Sequence, residues 1–220
     1  MAHGRSTRST ILHRILPIAC SAVLALTYLL ALAELAHAGR VTPPPVPPGL
    51  EVPEGNRAFL VGHAAGTQNY VCQPSGSAFA WTLFTPVATL FDDRDKQLTT
   101  HFFSPNPFEG GIVRPTWQHS RDTSSVWVRP AAPPSSDPDY VEPGAIPWLL
   151  LEVTGAGAGF RGGDALTATT YIQRLNTWGG SAPATGCSAQ GDVGARAYVP
   201  YEADYVFYRE SVRGGHDALD

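Results

Sequence analysis

Four histidines lie beyond the first forty residues, His63, His101, His119 and His216. Two of them fall where chemistry could be assembled. His119 sits in Trp117-Gln118-His119-Ser120-Arg121-Asp122, and His101 in the run Leu98–Phe103, on the face opposite Leu98, Thr100 and Phe102. Imidazole and carboxylate are the side chains that ligate borderline metals and exchange protons near neutral pH. His101, His119 and Asp122 are therefore the candidate set for a metal ion, and with it for an exported hydrolase or metalloenzyme. Against that reading, a metal needs three or four ligands converging, and the chain has no His-Glu-x-x-His, no His-x-His and no EF-hand spacing. Ser120, Ser124 and Ser125 beside His119 and Asp122 supply the residue types of a nucleophilic triad, but no Gly-x-Ser-x-Gly elbow is present. The simpler expectation is a polar turn ahead of a strand at Ser125–Val128. No pair of carboxylates stands out for glycoside hydrolysis either, because their separation is set in space and not along the chain.

Aromatic residues give a second lead. The chain has five tryptophans, Trp81, Trp117, Trp127, Trp148 and Trp178. Trp81 and Trp148 lie in strand-like apolar runs and read as core. Trp117 and Trp178 flank turn residues and read as exposed, so that Trp117, His119 and Trp178 are the candidate ligand contacts of a binding surface. Gly155–Gly163 lacks the Gly-x-x-x-x-Gly-Lys of a phosphate cradle and reads as a mobile hairpin loop.

These residues must be positioned by strands. No stretch of a dozen residues carries a 3.6-residue apolar period, whereas Ala58–Ala64, Gln68–Cys72, Ala78–Phe84, Leu98–Phe103, Ser125–Val128, Trp148–Val153, Ala168–Arg174 and Ala197–Tyr208 alternate or are rich in β-branched and aromatic residues. The last is the clearest, with Val199, Tyr201, Ala203, Tyr205 and Phe207 on one face and Glu202 and Asp204 on the other. Pro200 places the beginning of that strand at an edge or bulge. Gly/Pro breakers separate the runs, and Pro130–Pro138 reads as a long solvated loop. The pattern predicts an all-β domain, an antiparallel sandwich or barrel of many short strands with long Gly/Pro loops.

The beginning of the chain is of another kind. Arg5, Arg8 and Arg14 precede an apolar stretch from Ile15 to about Leu35, followed by Ala36-His37-Ala38, the order of a cleavable export signal over residues 1–38. Pro17 and Glu34 argue against a retained membrane span, and Cys20 lies too early in the stretch for lipid attachment. Residues 39–53 hold Pro43, Pro44, Pro45, Pro47, Pro48 and Pro53 and read as an extended spacer. A single β-rich domain over 54–210 and a flexible tail over 211–220 complete the expected organisation. Removing three arginines and Glu34 with the signal leaves 12 basic against 18 acidic residues, net −6 with histidine neutral, which disfavours nucleic acid as a partner. It also leaves Cys72 and Cys187 alone outside the cytosol, where two thiols permit one pairing, closing a loop of about 115 residues.

The ordered set Gly66-Thr67-Gln68-Asn69-Tyr70-Val71-Cys72, Trp81, His101-Phe102-Phe103, Trp117 to Ser124, Ile146-Pro147-Trp148-Leu149-Leu150-Leu151, Ile172 to Thr177, Gly186-Cys187 and Val199 to Tyr208 resembles the secreted domain-of-unknown-function family 3455 of bacteria and fungi. The resemblance spans roughly Val52 to Tyr208. It implies export and a shared domain, and it names no activity. A dehydrogenase label carried by some fungal members finds no support, because Gly155-Ala156-Gly157-Ala158-Gly159 lacks the strand and helix of a dinucleotide turn.

Residues and resemblance together point to a non-catalytic exported domain, secreted or periplasmic, that binds an envelope or environmental ligand. The exported hydrolase or metalloenzyme using His101, His119 and Asp122 is the alternative. No cofactor is implied beyond that metal ion, and no membrane span remains after signal removal.

Overall fold

A computed structural model describes residues 41–211; the export signal expected over 1–38, Cys20 and the tail from residue 212 on lie outside the described residues. Eight antiparallel strands close into a barrel in which each strand pairs with its sequence neighbours and the last returns to the first. They are β1 (Asn56–Ser75), β2 (Ala78–Phe91), β3 (Gln97–Asn106), β4 (Ile112–His119), β5 (Ser125–Pro130), β6 (Leu149–Gly157), β7 (Thr169–Gly179) and β8 (Arg196–Glu210). Of the two architectures expected, the barrel is realised. Closure gives every strand two neighbours, although stretches such as Ala78–Val87 of β2 and 196–200 of β8 pair on one side only. Among the described residues no helix is long and apolar enough to cross a membrane.

The closing ladder explains itself from sequence. On β8, Tyr201, Ala203, Tyr205 and Phe207 are buried in the barrel interior. Burying a side chain the size of Phe207 contributes about 1.5–3 kcal/mol. Its partner strand carries small residues in return. A Cβ on Gly66 would stand 2.2 Å from the Val87 carbonyl oxygen, and one on Gly62 2.8 Å from the Leu90 side chain. Only glycine lets β1 approach β2 this closely, so the two runs expected on either side of Gly66 are one continuous strand. Residues 196–200 of β8 pair with β1 and not with β7, whose ladder stops at Gly179–Tyr201. Pro200 thus sits at an edge, where a missing N–H is tolerated.

β4 is the strand that sequence reading passes over. Pro115 stands in its middle and Trp117 reads as flanking the polar turn that begins at His119, yet β4 pairs with β3 from Ile112 to His119. The ladder to β5 uses Thr116–Gln118 alone, leaving Pro115 beyond its end.

Alternation of direction sets two ends. The turns 92–96 and 120–124 and the connection 158–168 share one end. Leu166, fully buried, closes the interior there. Gly155–Gly163 is a loop only in part: Gly155–Gly157 belong to β6, and beyond them Gly159 and Gly163 pack on the β4–β5 turn, where a Cβ on Gly159 would stand 1.6 Å from the Asp122 carbonyl oxygen, while Phe160 is exposed.

A second apolar cluster lies outside the barrel, where Leu50, Val141, Trp148, Leu150, Leu175, Val206 and Tyr208 are buried together. This finding corrects the expected spacer, while Pro130–Pro138 is mostly exposed, as expected of a solvated loop. Residues 41–52 lie against the barrel, with Leu50 only 1% exposed and its carbonyl accepting from Gln173 Nε2 at 2.6 Å. Prolines keep the segment extended, and Val41, Val46, Leu50 and Val52 give it an apolar side to bury. The 131–148 connection is a strap, bridged at Ser135–Trp148 and at Ala145–Gly180.

The disulfide joins Cys72 on β1 to Cys187 in the β7–β8 connection. Cys72 also exchanges backbone hydrogen bonds with Ala195 and Gly194, so the crosslink fastens that connection over the far part of the β1–β2 ladder.

Candidate functional site

The barrel is not packed solid. A cavity of about 180 Å³ occupies the half of the interior away from Leu166. Every strand contributes to its wall: Gln68 from β1, Leu83 and Pro86 from β2, His101 and Phe103 from β3, Pro115 and Trp117 from β4, Pro130 from β5, Leu149 and Leu151 from β6, Arg174 from β7 and Tyr205 from β8.

The polar groups of this wall are few and specific. Gln68, His101, Trp117 and Tyr205 are all buried. The His101 and Trp117 rings face each other across the β3–β4 rung at 3.9 Å and 10°, with Tyr205 5.1 Å from Trp117. His101 Nδ1 lies 3.0 Å from the Thr116 carbonyl, which fixes the tautomer with the proton on Nδ1 and the lone pair on Nε2. Burial pushes the imidazole down to about 3, against the Thr116 hydrogen bond and helped by the Arg174 charge, so it is neutral near pH 7. Burial likewise raises the Tyr205 and Tyr201 hydroxyls. Trp117 Nε1 is a buried donor without a hydrogen-bond partner, whereas the Gln68 amide is directed to the Tyr201 hydroxyl. Such an unpartnered donor carries a desolvation penalty of about 1–3 kcal/mol unless something accepts from it.

Arg174 is the charged residue of the wall. Period two along β7 puts it inward with Ile172, while Gln173 and Leu175 face the outer cluster. Its Nε and Nη2 donate to the Pro147 carbonyl of the strap at 3.1 and 2.7 Å. No Asp or Glu lines the cavity, and no ion pair involves Arg174 among the described residues.

The residues expected to form a site are dispersed by this arrangement. Trp117, expected at the surface, is fully buried because β4 is a strand that turns it inward. Trp178 is 60% exposed on the outside of β7. His119 stands at the opposite end from the cavity, its Nδ1 3.0 Å from Asp122 Oδ1. Asp122 also accepts from Ser124 Oγ and N at 2.7 and 3.0 Å and from Ala165 N at 2.8 Å, and those bonds offset burial to hold its carboxyl down at about 2. Asp122 is the knot that ties the β4–β5 turn to the 158–168 connection, as the polar-turn expectation had it. His101 does not join His119 and Asp122. It is turned to Thr116 and stacked on Trp117, and among the described residues no group of three His, Cys, Asp or Glu is placed to hold a metal.

Gln68, Arg174 and Tyr205 were not singled out as site residues by sequence. Arg174 alone had a visible signal, a cation in phase with Ile172 on a half-buried strand.

The family model described as "Protein of unknown function (DUF3455)" matches residues 53–209, from just before β1 to within one residue of the end of β8. The chain belongs to this family. No curated protein and no solved structure matches it. All twelve lining residues fall within the DUF3455 match, whereas the whole 41–52 segment that packs outside the barrel precedes it.

Proposed function

We propose that this DUF3455 protein is an exported binding module that takes a small, largely apolar molecule into the lumen of its barrel, without covalent chemistry. The observation that carries the reading is the lumen itself: an interior cavity with mainly apolar walls and a few polar residues, Gln68, His101, Trp117, Arg174 and Tyr205. Ligand sites are commonly concave and apolar with a few converging polar groups, and the mouths of β-barrels are among their usual locations. An apolar cavity of about 150 Å³ accepts benzene, so a volume of about 180 Å³ fits a single ring or a short chain. Export is supported by the signal-like order of residues 1–38 and by the Cys72–Cys187 crosslink, a bond suited to an oxidising compartment. The mature protein then begins at Gly39 and acts outside the cytosol on a ligand of the envelope or the surroundings.

Benzyl alcohol is a suitable neutral probe. Titrated into the protein, it raises the melting temperature saturably, because a ligand bound only to the folded state stabilises it by RT ln(1 + [L]/Kd). Leu149→Trp, which projects an indole into the lumen from the end of β6, abolishes that rise while the protein still melts cooperatively. An equal rise in the native protein and in Leu149→Trp contradicts lumen binding.

A further inference from the structure

We infer that the lumen is built for a small monocarboxylic acid, one ring or a short apolar chain in size, with its carboxylate against Arg174. The inference rests on the lumen being the binding site and names the chemical class of its ligand. Arg174 is directed inward from β7, in phase with buried Ile172, into a wall whose other members are neutral. Its acceptors on the protein are neutral: the Pro147 carbonyl takes both Nε and Nη2, and the Tyr205 hydroxyl takes a further bond from the guanidinium. A guanidinium taken out of water toward an apolar interior is unfavourable without a counter-charge, and among the described residues no carboxylate lines the cavity.

The Arg174 charge reaches His101, Tyr70, Tyr201 and Tyr205, so a positive potential extends through this half of the barrel. A carboxylate satisfies that field. It also offers four lone-pair directions, enough for both arms of the Arg174 guanidinium fork. Leu83, Pro86, Phe103, Pro115, Leu149 and Leu151 enclose the apolar part of the acid. A cationic ligand is disfavoured by the same groups. Neutral His101 and the raised tyrosines present no negative charge to receive one.

The test compares benzoate with benzamide, its neutral isostere, by calorimetric titration at pH 7 and low salt. In the native protein benzoate binds at least about tenfold tighter, the margin expected when a hydrogen bond to a charged group replaces one to a neutral group. Arg174→Gln brings the ratio near one while benzamide affinity is kept. Because Arg174 also holds Pro147, that variant is checked for cooperative melting. If it does not fold, Arg174→Lys, which keeps a charge but not the bidentate fork, must narrow the ratio without abolishing it. Equal binding of the two probes, or tighter binding of benzamide, to the native protein overturns the acid assignment and leaves the lumen reading standing. Binding of neither probe, nor of benzyl alcohol, overturns both.

Discussion

Two histidines respond to the fold in opposite senses, and their pH signatures should separate. His101, neutral in the interior, is pushed from 6.5 to about 3 by burial. An unfolded chain binds that proton more readily, so between about pH 6.5 and about pH 3 each unit of acidification removes about 1.4 kcal/mol of stability from this group alone. A His101→Phe variant, which keeps a ring against Trp117, should lose that acid slope in denaturant titrations run from pH 7 to pH 4. His63 behaves inversely. Its Nε2 meets Asp93 Oδ1 at 2.9 Å and its Nδ1 meets Asp204 Oδ1 at 2.6 Å, and these carboxylates, Asp93 first, raise it despite some burial. The contribution of His63 is complete below pH 6.5 and is lost as pH rises through its elevated value, a change that His63→Gln should abolish in melting curves taken across neutral pH. Neither role can be read from the residue type. His63 gains its partners from β8 and the β2–β3 turn, 141 and 30 residues away in sequence, and His101 acquires its neutral state from a barrel that closes around it.

At the scale of elements, what is legible is what alternates. β8 declares its buried face because aromatic and acidic residues take turns along it, and the interior confirms Tyr201, Ala203, Tyr205 and Phe207 on one side. β4 conceals itself because Pro115 and a polar ending imitate a turn, and with it goes the place of Trp117. The 41–52 segment misleads for a physical reason too. Proline-rich chain is extended whether solvated or packed, and its packing rests on Val41, Val46, Leu50 and Val52 meeting an outer apolar face that no local pattern reveals. Two predictions belong here. Asp122→Ala cuts the bonds to Ser124 and Ala165 and should cost about 2–3 kcal/mol in denaturant unfolding, typical for hydrogen bonds to a charged acceptor, while exposing 158–168 to proteolysis. Cys72→Ala with Cys187→Ala releases a closure of 115 residues and should lower stability by up to about 4–5 kcal/mol relative to the oxidised protein. A reducing agent should produce the same loss in the native chain and none in the double variant.

The described residues form a closed barrel plugged at one end by Leu166 and hollow toward the other. Fold class was within reach of the sequence because alternation and turn residues are local. The lumen was not, because a cavity is a property of eight strands at once, and its members Gln68, Arg174 and Tyr205 lie far apart along the chain. Trp117 and Trp178, expected together on an exposed surface, are separated by the fold: Trp178 is the ring that faces solvent, and Trp117 is buried in the wall of the lumen. That contrast supplies the most direct test. Indole N–H resonances are recorded by nuclear magnetic resonance while benzoate is titrated into the ¹⁵N-labelled protein. The lumen account predicts a saturable shift of the Trp117 indole, whose Nε1 has no partner on the protein, with the Trp178 indole unmoved. A shift at Trp178 with Trp117 unmoved would contradict it and place binding on the outer surface.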